Sequence, residues 1–256
     1  MSPLLVTRGV SKRFAGIRAL DDVSIEVGHG ERVGLIGPNG AGKTTFFNCI
    51  LGVLRNDDGT VELEGHDLAS LPVHARARLG IGRTFQRIEL FPRMTVRDHL
   101  VVADRVKRGE RRWFTDVSRW GRPRPDEMTR SDEMLELLGL TDVADDPIER
   151  LSLGKGRLVE VGRALMTQPK MLLLDEPSSG LDRAETAALA DTLREVQAER
   201  GFAILLVEHD IELVATFTDR SYLLDFGRTL TSGTTAEVMA SPEMRRAYLG
   251  DMEVPA

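Results

Sequence analysis

The run Gly37-Pro38-Asn39-Gly40-Ala41-Gly42-Lys43-Thr44 has the residue types and spacing needed to hold phosphate. Its glycines accept backbone angles closed to other residues and let amide groups come close to phosphate oxygens. The run follows an aliphatic stretch, Arg32 to Ile36, and opens a segment, Phe46 to Leu51, that reads as a helix. This is the strand-loop-helix setting of a Walker A loop. The N-terminus of that helix adds partial positive charge facing an anion. Lys43 is placed to neutralise β- and γ-phosphates and Thr44 to offer its hydroxyl to magnesium, a hard cation that prefers oxygen, with Thr45 beside it in the phosphate-binding set. The plain alternative is a glycine-rich turn that only caps a helix.

A second group of residues suits hydrolysis. Met171-Leu172-Leu173-Leu174-Asp175-Glu176 reads as a buried strand ending in adjacent carboxylates. Phosphoryl transfer depends on positioning and charge stabilisation, so Asp175 is expected to hold magnesium through its water shell and Glu176 to act as general base on the attacking water. Alternatively both acids cap the helix that follows Pro177. His209 emerges after the strand Ala203 to Glu208, at the end of a sheet where α/β proteins bind ligands, and suits contact with a γ-phosphate and orientation of Glu176. Read alone, it also suits a helix cap. Gln86, after Thr84-Phe85, is a candidate for orienting magnesium or water, and Phe14 for stacking on adenine or for packing in a first strand.

These groups require a layered scaffold. Short aliphatic runs at Val23 to Val27, Arg32 to Ile36, Val61 to Leu63, Met171 to Leu174, Ala203 to Val207 and Tyr222 to Leu224 read as strands. Ala184 to Arg200, with Ala187, Ala190, Leu193 and Val196 on one face, reads as a helix between them. The alternation predicts an α/β fold. Thr95 to Gly139 is predominantly helical and reads as an inserted lobe, interrupted at Arg105 to Arg124. Gly227 and Gly233 bracket an expected hairpin, with short helices around Glu237 and Tyr248.

In chain order stand Phe14, the Walker A loop, Gln86, Leu151-Ser152-Leu153-Gly154-Lys155, Asp175-Glu176, Ser179-Gly180-Leu181-Asp182 and His209. That order resembles the ATPase subunits of ABC transporters along essentially the whole chain. The resemblance implies a P-loop NTPase fold of ABC type: α/β, with an antiparallel β subdomain and an inserted α-helical subdomain. Residues 1–256 would form one nucleotide-binding domain, with about 1–94 and 168–256 as catalytic core and about 95–167 as the helical lobe. It implies that Leu151 to Lys155 is the signature motif, binding the γ-phosphate of ATP held by an opposite subunit, and that Asp182 lies in the loop that links the two sites. Ser152 and Gly154 immediately precede an expected helix, Arg157 to Met166, whose amides can face an anion. Two ATP molecules would then be sandwiched in a head-to-tail dimer. The usual signature is Leu-Ser-Gly-Gly-Gln. Here Leu153 replaces the first glycine and Lys155 the glutamine, so Lys155 either reaches ribose or phosphate oxygens or stays solvated.

Gly82 to Gln86, Leu90 to Val96, Val207 to Asp210 and Ala247-Tyr248-Leu249-Gly250 make the chain similar to the ATPases of branched-chain amino acid uptake. Urea, other-solute and lipid transporters have similar engines. The resemblance implies ATP and Mg2+ as cofactors, transmembrane permease subunits, a second ATP-binding subunit as a homodimer or related heterodimer, a substrate-binding protein acting indirectly, and a peripheral place on the cytoplasmic face of the membrane.

Composition agrees. The 256 residues carry 40 acidic and 34 basic side chains, a net charge of -6, so no overall charge favours nucleic acid. No apolar stretch reaches the roughly 20 residues of a spanning helix. The N-terminal run lacks a basic lead and a small-residue cleavage site, so no secretion signal is expected. The single cysteine, Cys49, excludes an internal disulfide and, among Phe46, Phe47 and Ile50, is expected to be packed. Arg105 to Arg124 combines eight basic residues, two acids and both tryptophans, Trp113 and Trp120. It is expected either to contact the transport subunit or anionic headgroups, or to be a solvated insertion. Two rival classes remain at this stage. One is a soluble ABC ATPase acting on nucleic acid, ribosomes or iron-sulfur assembly, which paired cassettes or long coiled coils would mark. The other is a nucleotide-binding module without hydrolysis, against which Glu176 and His209 stand.

Overall fold

The computed structural model describes residues 2–84, 90–108 and 123–249. The chain runs through β1 (Leu5–Phe14), β2 (Ile17–Val27), β3 (Arg32–Ile36), α1 (Lys43–Leu51), β4 (Asp58–Leu63), β5 (His66–Asp67), α2 (Val73–Leu79) and β6 (Ile81–Arg83). It continues with α3 (Val96–Lys107), α4 (Pro125–Leu137), α5 (Leu153–Met166), β7 (Met171–Asp175), α6 (Arg183–Arg200) and β8 (Ala203–Val207). It ends with α7 (Ile211–Phe217), β9 (Arg220–Asp225), β10 (Arg228–Thr234), α8 (Thr235–Ala240) and α9 (Pro242–Leu249).

An antiparallel sheet of order β2-β1-β4-β5 faces a six-stranded sheet of order β10-β9-β3-β8-β7-β6. In the larger sheet β9, β3, β8, β7 and β6 are parallel and only β10 runs against its neighbour. Every residue of β7 and β8 is buried, as expected of parallel strands covered on both faces. The period-two alternation of side chains divides them between two cores. Met171, Leu173, Ala203, Leu205 and Val207 join Phe46, Phe47, Cys49 and Ile50 of α1 and the inner residues of β1 and β2. Leu172, Leu174, Ile204 and Leu206 join Val159, Leu193 and Val214 from the helices on the other side. Cys49 is fully buried, and burial pushes its thiol up to about 11.

The carboxyl end of α1 is closed by α2. Gly52 ends the helix in the left-handed region, and the buried Arg76 guanidinium donates to Cys49 O and Ile50 O at 2.7 Å each and, through Nε, to Leu71 O at 2.9 Å. A cation there complements the negative end of the helix dipole.

α3, α4 and α5 pack against one another through Leu100, Leu135, Leu138 and Val159. Thr95 starts α3 with a reciprocal capping box, accepting from Asp98 N while Asp98 accepts from Thr95 N. Arg105 and Arg124, the ends of the basic segment, both grip Glu127. Arg105 donates to its two carboxylate oxygens at 2.8 and 2.7 Å. The segment's two tryptophans and its arginines at 111, 112, 119 and 122 lie outside the described residues.

Glu127 is fully buried, and its carboxyl is held at about 2, chiefly by the Arg105 hydrogen bonds. A carboxyl depressed in the folded state stabilises above its unfolded value, 4.5, and that contribution is lost as the pH falls from there towards about 2. Glu127→Gln should therefore cost roughly 1–3 kcal/mol at pH 7. In thermal melts the gap from wild type should narrow steadily as the pH drops below the ordinary carboxylate range, and a gap that stays constant would contradict this account.

Two expectations are corrected. α5 starts at Leu153, because Ser152 caps it by accepting from Lys155 N at 3.3 Å. Gly154 thus lies inside the first turn, well before Arg157. Gly233 does not bound the hairpin but lies within β10, and the tight turn is formed by Phe226 and Gly227 alone, both at positive φ.

Candidate active site

Strand register assembles the site. Leu35 pairs with Val207, and Val207 pairs with Asp175. The next residues of the three strands, Gly37, Glu208-His209 and Glu176, therefore leave the sheet at the same edge, where open α/β sheets bind ligands.

In the loop after β3, backbone contacts at Gly37 and Gly42 leave no room for a side chain. A Cβ on Gly37 (φ +153°) would lie 2.0 Å from Leu224 O, and one on Gly42 (φ +105°) 2.6 Å from Ala19 O. Ala41 N donates to Pro38 O at 3.2 Å, and Gly227 N to Ala41 O at 2.9 Å. Pro38 is half-buried, Asn39 and Gly40 are exposed, Thr44 is exposed and Thr45 half-buried. Lys43 is only 6% exposed, and its ammonium donates to Gly37 O at 2.5 Å and Pro38 O at 3.0 Å. Burial lowers its pKa, while Glu176, Asp175 and Glu208 oppose that shift in this order. A buried cation thus sits in the loop facing a carboxylate cluster.

Asp175 is 5% exposed, and its pKa is raised first by burial and then by Glu176. A carboxylate uncomfortable in its charged form is ready to gain from a nearby cation. Glu176 is half-buried, at φ +49°, with its amide donating to Val207 O at 2.9 Å. A non-glycine residue held there costs about 1–3 kcal/mol, a strain typical of functional positions. His209 is exposed.

Between these two loops lies Glu208, to which the sequence alone assigned no role. It is fully buried and bridges them: Oε1 accepts from Ser178 N at 2.9 Å and Ser178 Oγ at 2.6 Å, and Oε2 from His209 N at 3.1 Å. Its only signal in the sequence is an acid prolonging a wholly apolar strand.

Phe14 ends β1 opposite Ile17, 43% exposed, with Lys12 Nζ 5.6 Å from its ring centroid. Gln86 lies outside the described residues. At the start of α5, Leu153 packs on Gly180: a Cβ added to Gly180 would lie 2.9 Å from Leu153 Cδ2, so the glycine accommodates the bulky residue. A Cβ on Gly154 would meet Glu185 at 3.3 Å. Glu185 itself is locked in the capping box of Asp182, which starts α6. The Lys155 ammonium pairs with Asp142 at 2.7 Å at the solvent-exposed surface.

Residues 20–179 match the family model described as ABC transporter. The chain belongs to this family. It is 39% identical over 251 residues to the high-affinity branched-chain amino acid transport ATP-binding protein LivG of Salmonella typhimurium, covering 97% of this chain and 98% of that protein. It is 35% identical over 251 residues to BraF of Pseudomonas aeruginosa, described in the same terms and with the same coverage. Among solved structures, the ADP conformation of MJ1267, an ATP-binding cassette of an ABC transporter, superposes with a TM-score of 0.86 at 32% identity, covering 98% of this chain and 100% of that one. This ABC ATPase binds ATP and couples its hydrolysis to transport. No described helix is long and apolar enough to cross a membrane. An ATP-binding subunit of this family implies membrane permease partners.

Proposed function

We propose that this ABC ATPase energises import of branched-chain amino acids, seated peripherally on the cytoplasmic face of the membrane against permease subunits and paired with a second ATP-binding subunit. The observation that carries the chemistry is the common register of Leu35, Val207 and Asp175, which delivers the loop, the acids and His209 to one edge. The solute class rests on full-length likeness to LivG and BraF.

In this reading Lys43 exchanges its carbonyls, Gly37 O and Pro38 O, for the β- and γ-phosphates, while the first amides of α1 face the same oxygens. The donor set fits magnesium: the exposed Thr44 hydroxyl and the buried Asp175 carboxylate are hard oxygen ligands. No group of three or more His, Cys, Asp or Glu converges among the described residues, so water and phosphate oxygens would complete its shell, with Gln86 reaching it or the water. Bound there, the ion neutralises charge on the triphosphate. Glu176 takes the proton of the attacking water, His209 meets the γ-phosphate, and Phe14 stacks on adenine with the face not covered by Lys12. The second subunit lends Ser152, Gly154 and the amides opening its own α5, with its Asp182 linking the sites. Lys155 must leave Asp142 before it touches ribose or phosphate.

A cleft of about 270 Å3 between the catalytic core and the helices offers the permease an apolar seat. It is lined by Val73, Ala77, Val102 and Val106, with Val106 61% exposed. The test is reconstitution with permease subunits and binding protein in proteoliposomes. Leucine, isoleucine or valine should stimulate ATP turnover. Stimulation by urea or a lipid instead would replace the solute class, and stable association with ribosomes or DNA in place of permeases would overturn the transport reading.

A further inference from the structure

The C-terminal helix reaches the phosphate loop. On α9 the Tyr248 hydroxyl accepts a hydrogen bond from Gly37 N at 3.0 Å, across 211 positions of sequence. Tyr248 and Ala247 pack on the core cluster that contains Met244 of the same helix and Ile36, the residue before Gly37. Burial pushes the phenol up from its ordinary value, so the group keeps its proton while its lone pair takes the amide. Gly37 is thus held on both sides, its N–H by Tyr248 and its carbonyl by Lys43.

The two contacts differ in what happens to them when a triphosphate arrives. Lys43 cannot serve both Gly37 O and phosphate oxygens at full strength, so the carbonyl contact weakens. The Tyr248 contact lies outside the phosphate cradle and is not consumed. Among the described residues it is then the remaining side-chain hydrogen bond to the Gly37 backbone. That peptide has no slack of its own, because a Cβ there would strike Leu224 O.

We infer that Tyr248 is a positioning residue for nucleotide binding: by holding the Gly37 amide it keeps the loop in its phosphate-receiving shape once Lys43 has turned to the ligand. The inference rests on the reading that Lys43 receives the phosphates.

Tyr248→Phe removes one oxygen and keeps the ring in place. A hydrogen bond of this kind is worth about 3- to 10-fold in an equilibrium constant. Titration of ATP and, separately, ADP should show the dissociation constant of each rising by that factor, with KM for ATP following and kcat at saturation nearly unchanged. A merely structural tyrosine would lower the melting temperature and leave both affinities in place. Arg246→Ala, which removes an exposed side chain of the same helix that pairs with Glu243, should leave affinity alone. Coupling is reciprocal. In the unmodified protein, ATP should therefore slow amide exchange across residues 242–249, which keeps the idea testable should the variant fold poorly. Unchanged affinities in a folded Tyr248→Phe, or no protection of α9 by ATP, would overturn the inference. Unchanged ATP affinity in Lys43→Ala would instead remove the reading beneath it.

Discussion

Glu176→Gln is expected to cut ATP turnover by about 10²- to 10⁴-fold, the usual worth of a positioned general base, while ATP still binds. The substitution keeps the side-chain volume and the backbone bond from residue 176 to Val207 O, so the strained conformation at φ +49° persists. It removes a negative charge that lies among Lys43 and Asp175 and that raises the pKa of Asp175. The anionic triphosphate then meets one fewer negative charge, and ATP binding should be equal or tighter. With chemistry blocked and binding intact, the ATP-bound pair of subunits should accumulate, visible as a dimer on size exclusion only when ATP is present. Turnover near that of the unmodified protein would remove Glu176 from its role. Full turnover by a strictly monomeric enzyme would remove the shared site.

Lys43→Ala should fail earlier in the cycle. A charge-assisted contact to phosphate is worth about 1.5–3 kcal/mol, so ATP affinity should fall by roughly 10- to 100-fold, with turnover limited by occupancy. The variant also leaves Gly37 O and Pro38 O without the Lys43 donor and takes a buried ammonium away from Glu176, Asp175 and Glu208. Calorimetric titration with ATP separates this from Glu176→Gln: one variant binds poorly, the other binds and does not turn over. Equal affinities in both would refute the assignment of Lys43.

The parts of the candidate site that can be read from the sequence are those whose residue pattern is local. Gly37 to Thr44 and Met171 to Glu176 carry their meaning in consecutive residues, and the wholly apolar runs of β7 and β8 mark strands buried on both faces. A first strand is expected at Phe14, but the bounds of β1 were not legible because register shifts between Thr7 and Lys12 break its alternation. Gly9, at φ +62°, falls within the first of them. The start of α5 was misplaced because glycines at 154 and 156 argue against a helix, whereas the Ser152 cap and the packing of Leu153 and Gly154 on Gly180 and Glu185 decide the matter. Glu208, Tyr248 and the pairing of Lys155 with Asp142 depend on partners distant in sequence, from 13 to 211 positions away, and no local pattern announces them.

α1 joins two places that the chain treats separately. At one end lie Lys43 and the loop proposed to receive phosphate. At the other, Arg76 clasps the last carbonyls of the helix while itself forming part of the wall of the apolar cleft. Nine residues of helix make a rod of about 13 Å, stiff over that length and embedded between two sheets. Were the proposed permease to shift α2 within the cleft, it would push on the base of this rod, and the displacement would be delivered at its tip, where the triphosphate is proposed to sit, with no loop in between to absorb it.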